Sequence, residues 1–196
     1  APKSSRKLPN VLDVDEMQAL LDHPGNATPA SIRDRAMFEL LYSSALRVSE
    51  LCALRWPDVD FGQQLVRVVG KGAKTRVVPF GSQAGAALRA WRELGVSAAD
   101  AAVFPDRTGA PVSTNTVRER LRKWAQSAGV WKRVHPHLLR HSCASHLLES
   151  SGNLRAVQEM LGHADTGTTQ IYTHLDFQHL AKVYDAAHPR ARKKPE

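Results

Sequence analysis

Residues 135–175 read HPHLLRHSCASHLLESSGNLRAVQEMLGHADTGTTQIYTHL, and the punctuation of this stretch is helical throughout. Pro136 suits the first turn of a helix, where the N–H it lacks would have no intrahelical acceptor. The helix it opens runs through Glu149 and ends at Gly152. Asn153 then caps a short helix to Leu161 that closes on Gly162. Two further helical pieces are expected at 168–174 and 176–187, before the basic tail Arg190, Arg192, Lys193, Lys194. At about 100° per residue, His137 and Arg140 lie about 60° apart on one side of their helix, with Leu139, Cys143 and Leu147 on the adjoining apolar face. The pair is placed to border a cleft while the leucines anchor the helix.

Working outward from this stretch, helix continues to dominate. Asp13 with Glu16 three residues later reads as a capped helix start, and Pro24-Gly25-Asn26 ends that helix. A second, deeply buried helix is expected over 32–44, carrying Ala36, Phe38, Leu40 and Leu41. A short helical period at Val48, Leu51 and Leu54 stops at Trp56-Pro57. The β-branched runs LVRVV and TRVVPF flank Gly70-Lys71-Gly72-Ala73-Lys74, a hairpin signature, and 101–104 is expected to add a short strand. Val117, Leu121 and Trp124 place a helix at 114–128. The expected fold class is therefore mainly α with one small antiparallel β-sheet, α+β.

The chain holds 27 basic and 19 acidic residues in 196, a formal net charge of +8, which makes nucleic acid the first partner to consider. With 42% hydrophobic residues it is long enough and apolar enough for one cored domain. No apolar run approaches the roughly 18 residues of a membrane helix, so no membrane association and a cytoplasmic location are expected. Cys52 and Cys143 have no metal-ligand spacing and read as reduced core residues. The opening APKSSRKLP resembles an interdomain linker.

The residues able to carry chemistry are His137, Arg140, His163 and Tyr172. A phenol with an unperturbed pKa of about 10 is a poor nucleophile until cations favour its phenolate, and the same cations stabilise a charged phosphoryl transition state. His163, directly after Gly162, would project from a fixed corner. Arg47, at the helix break in SALRVSEL, offers a fork for two phosphate oxygens. Lys71, between glycines at the hairpin tip, can reach a DNA groove without crowding. Taken singly, each also has an ordinary role: a helix-terminal histidine, a solvated arginine or lysine, an interfacial tyrosine. His135, His137 and His141 are closely spaced, but no glutamate, cysteine or further carboxylate completes a zinc set, so neither metal nor cofactor is expected.

Together, LRVSEL, GKGAKTRVVP, HPHLLRHSCASHLLESSG, VQEMLGHADTGTTQIYTHL and DFQHLAKVYDAAHPRA resemble the tyrosine site-specific recombinases, and within them the bacterial Xer proteins. The last segment resembles the XerC branch more than the XerD branch. The resemblance spans about residues 8 to 192. It implies that Tyr172 attacks the scissile phosphate to give a 3′-phosphotyrosyl link, that Arg47 and Arg140 clamp the non-bridging oxygens, and that Lys71 protonates the leaving 5′ oxygen. It implies further that His137 is the acid/base partner of the tyrosine and that His163 hydrogen-bonds the phosphate. The implied partners are a double-stranded DNA recombination site, a XerD-like recombinase in a heterotetramer on that DNA, and an FtsK-like septal DNA translocase. The implied role is chromosome or plasmid dimer resolution. A silent DNA-binding module and a topoisomerase-like nicking-closing enzyme are the alternatives.

On this resemblance, residues 1–10 are a linker remnant after an N-terminal clamping domain, 11–175 the catalytic domain, and 176–196 a C-terminal helix and basic tail that docks on a neighbouring protomer. DNA binding is then expected to be weakened and strongly salt-dependent. Three positions depart from the family pattern: Ala45 and Gly167 stand where glycine and serine are usual, and Cys143 where phenylalanine is common.

Overall fold

The computed structural model describes residues 11–95 and 98–162. Among them are seven α-helices and a three-stranded sheet: α1 (Val14–Asp22), α2 (Pro29–Ser43), α3 (Val48–Ala53), β1 (Val59–Asp60), β2 (Leu65–Val69), β3 (Thr75–Pro79), α4 (Ser82–Glu93), α5 (Thr114–Ser127), α6 (Pro136–Ser151) and α7 (Leu154–Leu161). The helices expected at 168–174 and 176–187 lie outside the described residues. No described helix is long and apolar enough to cross a membrane.

α2 is the hub, in contact with α1, α3, α4, α5 and α6. Being surrounded, it buries Ala36, Met37, Phe38, Leu40, Leu41 and Tyr42 on every side and also carries buried Asp34 and Glu39. It begins at Pro29 behind the Thr28 cap, three residues before the first apolar position that periodicity detects. Cys52 and Cys143 are both buried and neither is disulfide-bonded. Burial pushes the Cys52 thiol up to about 11, so it is not a thiolate at neutral pH.

The C-terminus of α2 sets the direction in which the chain enters α3. Ala45 takes a left-handed conformation, φ 49°, while its N–H donates to the Tyr42 carbonyl and the Leu46 N–H to that of Leu41, a Schellman closure. A Cβ in this region costs about 1 kcal/mol, which accounts for glycine being usual here in the family the sequence resembles. The turn delivers Arg47 as the N-cap residue of α3.

The sheet is antiparallel in the order β1-β2-β3, with Val69 opposite Thr75 and Leu65 opposite Pro79. The Gly70 N–H to Lys74 carbonyl bond, 2.8 Å, closes the hairpin. Its tip, Lys71–Ala73, is a 3-10 turn with Gly72 at φ 72°. Val66, Val68 and Val78 face inward, and so by register does Arg76, paired with Val68. The expected strand at 101–104 is instead a loop tied by single bridges, Arg55 to Ala102 and Pro105 to Pro111. α4 is an element that the sequence reading does not include, although Ala84, Ala87, Leu88 and Trp91 recur at helical spacing. Ala84, Gly85 and Ala87 bury its face against α2 by small size, and a Cβ on Gly85 would stand 3.2 Å from the Phe80 ring.

Candidate active site

Pro136 occupies the first turn of α6 as expected, and the His135 Nδ1 accepts from the Leu138 N–H at 3.2 Å. Burial, then the neighbouring His137 and Arg133, hold the His135 imidazole below its usual range, which suits an accepting nitrogen. From this start α6 carries His137 and Arg140 in different surroundings. His137 is exposed, its ring parallel to His135 with centroids 6.4 Å apart and 6.5 Å from that of His141. Arg140 is only 6% exposed and points inward.

There Arg140 donates from Nη1 to the Ala45 carbonyl and from Nη2 to the Leu161 carbonyl, the latter at 2.6 Å. One guanidinium thus joins the Schellman turn of α2 to the last residue of α7. Burial, followed by the like charges of Arg47 and Arg76, lowers Arg140 to about 10, which leaves it cationic at neutral pH. Arg47 and Arg76 both hold the Glu50 carboxylate and both bear on Arg140, which the Glu50 charge favours in turn. Three positive charges against one negative leave an excess that an anion would neutralise.

Glu50 and Arg76 are the residues that sequence reasoning passes over. Glu50, with its side chain 1% exposed, reaches back from the first turn of α3 to accept the Arg47 N–H at 2.8 Å and Arg47 Nη1 at 3.0 Å. Arg76 grips it from the sheet, Nη1 on Oε1 and Nη2 on Oε2, the second at 3.0 Å. Burial pushes the Glu50 carboxyl up, but the hydrogen bonds from Arg76 and from the Arg47 amide, with the Arg76 charge, outweigh it, and the net shift is downward. The signals are present in the chain: glutamate three residues after Arg47 is capping-box spacing, and Arg76 breaks the apolar face of β3.

Lys71 stands exposed at the hairpin tip and makes no hydrogen bond or ion pair with any described residue. The base of its loop adjoins the cluster, since a Cβ on Gly70 would lie 3.7 Å from Glu50 Oε1 and 3.8 Å from Arg47 Nη1. α7 closes on Gly162 at φ 68°, the left-handed cap expected of it. His163 and Tyr172 lie outside the described residues. Of the six candidates, the structure therefore brings Arg47 and Arg140 into one cluster, sets Lys71 on its hairpin beside it, and puts His137 one turn from Arg140 on the exposed side of α6. No group of three metal-ligating side chains converges among the described residues.

Residues 10–179 match the phage integrase family. The chain belongs to that family. Among its relatives, the tyrosine recombinase XerC of Xanthomonas axonopodis pv. citri is 61% identical over 194 residues, covering 99% of this chain and 63% of the relative. XerC of Xylella fastidiosa is 60% identical over 194 residues, covering 99% of this chain and 66% of the relative. The chain thus spans about two thirds or less of the length of these family members. Two solved structures share its fold. The crystal structure of XerA recombinase superposes with a TM-score of 0.72 at 31% identity, covering 90% of this chain and 64% of that one. XerH recombinase bound to a palindromic difH substrate, a post-cleavage complex, superposes with a TM-score of 0.70 at 26% identity, covering 94% and 55%.

Proposed function

We propose that this chain is the catalytic part of a site-specific DNA recombinase that cuts and rejoins strands through a 3′-phosphotyrosyl intermediate. The observation that carries the reading is the cluster of Arg47, Arg76 and Arg140 around one carboxylate, in a chain of the phage integrase family. A phosphodiester carries one negative charge, and the transition state for its displacement puts further negative charge on the non-bridging oxygens. Arg47 and Arg140 take those oxygens. The Tyr172 hydroxyl loses its proton to His137 and attacks phosphorus, forming the tyrosyl-phosphate bond, while the bond to the 5′ oxygen breaks and that oxygen takes a proton from Lys71. His163 donates to a phosphate oxygen. The phosphodiester energy is retained in the covalent link, so rejoining by a 5′ hydroxyl needs neither metal nor ATP.

The substrate of this reaction is a double-stranded recombination site in the cytoplasm, and the biological outcome is resolution of chromosome or plasmid dimers. A XerD-like recombinase completes a heterotetramer on the DNA, under an FtsK-like translocase. Residues 11–175 form the catalytic domain, and the apolar stripe Phe177, Leu180, Ala181, Tyr184 and Ala187 within 176–196 docks on the neighbouring protomer.

The test is a nicked suicide duplex whose site sequence is first selected from random duplexes by binding to the protein. Wild type traps a covalent protein–DNA adduct, and Tyr172→Phe does not. An adduct that survives that substitution removes Tyr172 as nucleophile; binding without any adduct identifies a silent DNA-binding module. Nicking and closing of a single duplex without exchange identifies a topoisomerase-like enzyme.

A further inference from the structure

Arg76 ties together three elements, β3, α3 and α7. It lies on β3, five residues beyond Lys71 on the same hairpin. Its two Nη groups hold both oxygens of Glu50, which in turn holds the backbone and side chain of Arg47. Its Nε donates to the Met160 carbonyl at 3.3 Å, near the end of α7. Gly162 lies against its stem: a Cβ there would stand 3.0 Å from Arg76 Cδ and 3.3 Å from Nε. The left-handed φ and this close approach both call for glycine at the residue where the chain leaves α7 for His163. All three nitrogens of its guanidinium are thus engaged by two other elements, Glu50 of α3 and Met160 of α7.

We propose that Arg76 is a positioning residue of the strand-cleavage site, setting Arg47 through Glu50 and the exit of α7 through Met160 and Gly162. The inference rests on the recombinase reading. The guanidinium is needed for its shape as much as its charge. An ammonium is a single point and cannot meet two carboxylate oxygens and a carbonyl on a third element in one plane. Neutralising Glu50 alone is therefore not enough.

The experiment is single-turnover cleavage of the selected nicked duplex by wild type, Arg76→Gln and Arg76→Lys, across DNA concentrations, with thermal melting of each protein. The expected result is a saturated cleavage rate lower by about 100-fold for Gln and about 10-fold for Lys, with half-saturating DNA within about two-fold of wild type. A folded variant of either kind that cleaves within about two-fold of wild type overturns the proposal. So does a higher half-saturating concentration with an unchanged saturated rate, which would make Arg76 a DNA contact. If Gln does not fold, Lys decides; if neither folds, Arg76 is a structural residue and the proposal falls. A wild type that binds DNA but forms no adduct overturns the recombinase reading, and the inference with it. An adduct from wild type with indifferent Arg76 variants overturns the inference alone.

Discussion

Two buried carboxylates, Glu50 and Asp34, are each held by two arginines, yet they stand in different kinds of place. Asp34 accepts from Arg120 on α5 and from its own neighbour Arg33, at 3.2 Å to Nη2. It staples α2 to α5. Glu50 accepts from Arg47 and Arg76, and both bear on the buried Arg140 nearby. The two residues are chemically alike and similarly buried, Glu50 3% and Asp34 2% exposed. What separates a staple from a site is the third cation. Two arginines answer the one aspartate, whereas beside Glu50 the like charges of Arg47 and Arg76 also bear on a third, buried guanidinium, and on the proposed function an incoming phosphate would offset that excess of positive charge.

Removing the third cation should have the largest effect. Arg140→Ala orphans the Ala45 and Leu161 carbonyls, and is expected to cost about 4 kcal/mol in urea denaturation and to abolish adduct formation. Glu50→Gln comes next, at about 3 kcal/mol, because it leaves buried arginine without its counter-charge. Its signature is a pH dependence. The folded-state pKa lies below the ordinary 4.5, so the Glu50 contribution is present above about pH 4.5 and lost as pH falls through the folded value. The stability gap between wild type and Glu50→Gln should therefore narrow on acidification, and a constant gap from pH 6 down would contradict the shift.

Asp34→Asn is the decisive contrast. A loss of about 2 kcal/mol with a cleavage rate like that of wild type keeps the two carboxylates distinct. A cleavage defect as large as that of Glu50→Gln in a protein still folded would erase the distinction. Ala45→Gly is expected to raise stability by about 1 kcal/mol by removing a Cβ from a left-handed residue, with Arg140 still bonded to the same carbonyl. The smallest effect is expected at Lys132→Ala, which breaks a half-exposed pair with Glu16 at 2.6 Å and shifts stability by about 0.5 kcal/mol without touching cleavage.

Much of this arrangement is legible in the chain. The caps at Asp13 and Asn153, Pro136 at the start of α6, and the left-handed glycines at 152 and 162 act over four residues or fewer, and the structure places them where local rules do. α4 is missing from the sequence reading although Ala84, Ala87, Leu88 and Trp91 recur at helical spacing, because only two of the four are large and the signal is faint. Arg140 is readable as a residue on the side of a helix that borders a cleft, but not as one that turns inward to two carbonyls. Glu50 and Arg76 each carry a local signal, the capping-box spacing and the break in an apolar strand face, but neither signal says that the two side chains meet.

By itself, then, the sequence determined the hairpin, the family and, among the described residues, every α-helix but α4, because caps, turns and motif spacing are short-range. Tertiary structure decided which cations share a carboxylate. Arg76 meets Glu50 across 26 positions and Met160 across 84, and Arg140 meets Ala45 across 95. Whether a charged side chain faces water or a buried acceptor depends on what packing brings to its tip, and no local rule carries that information.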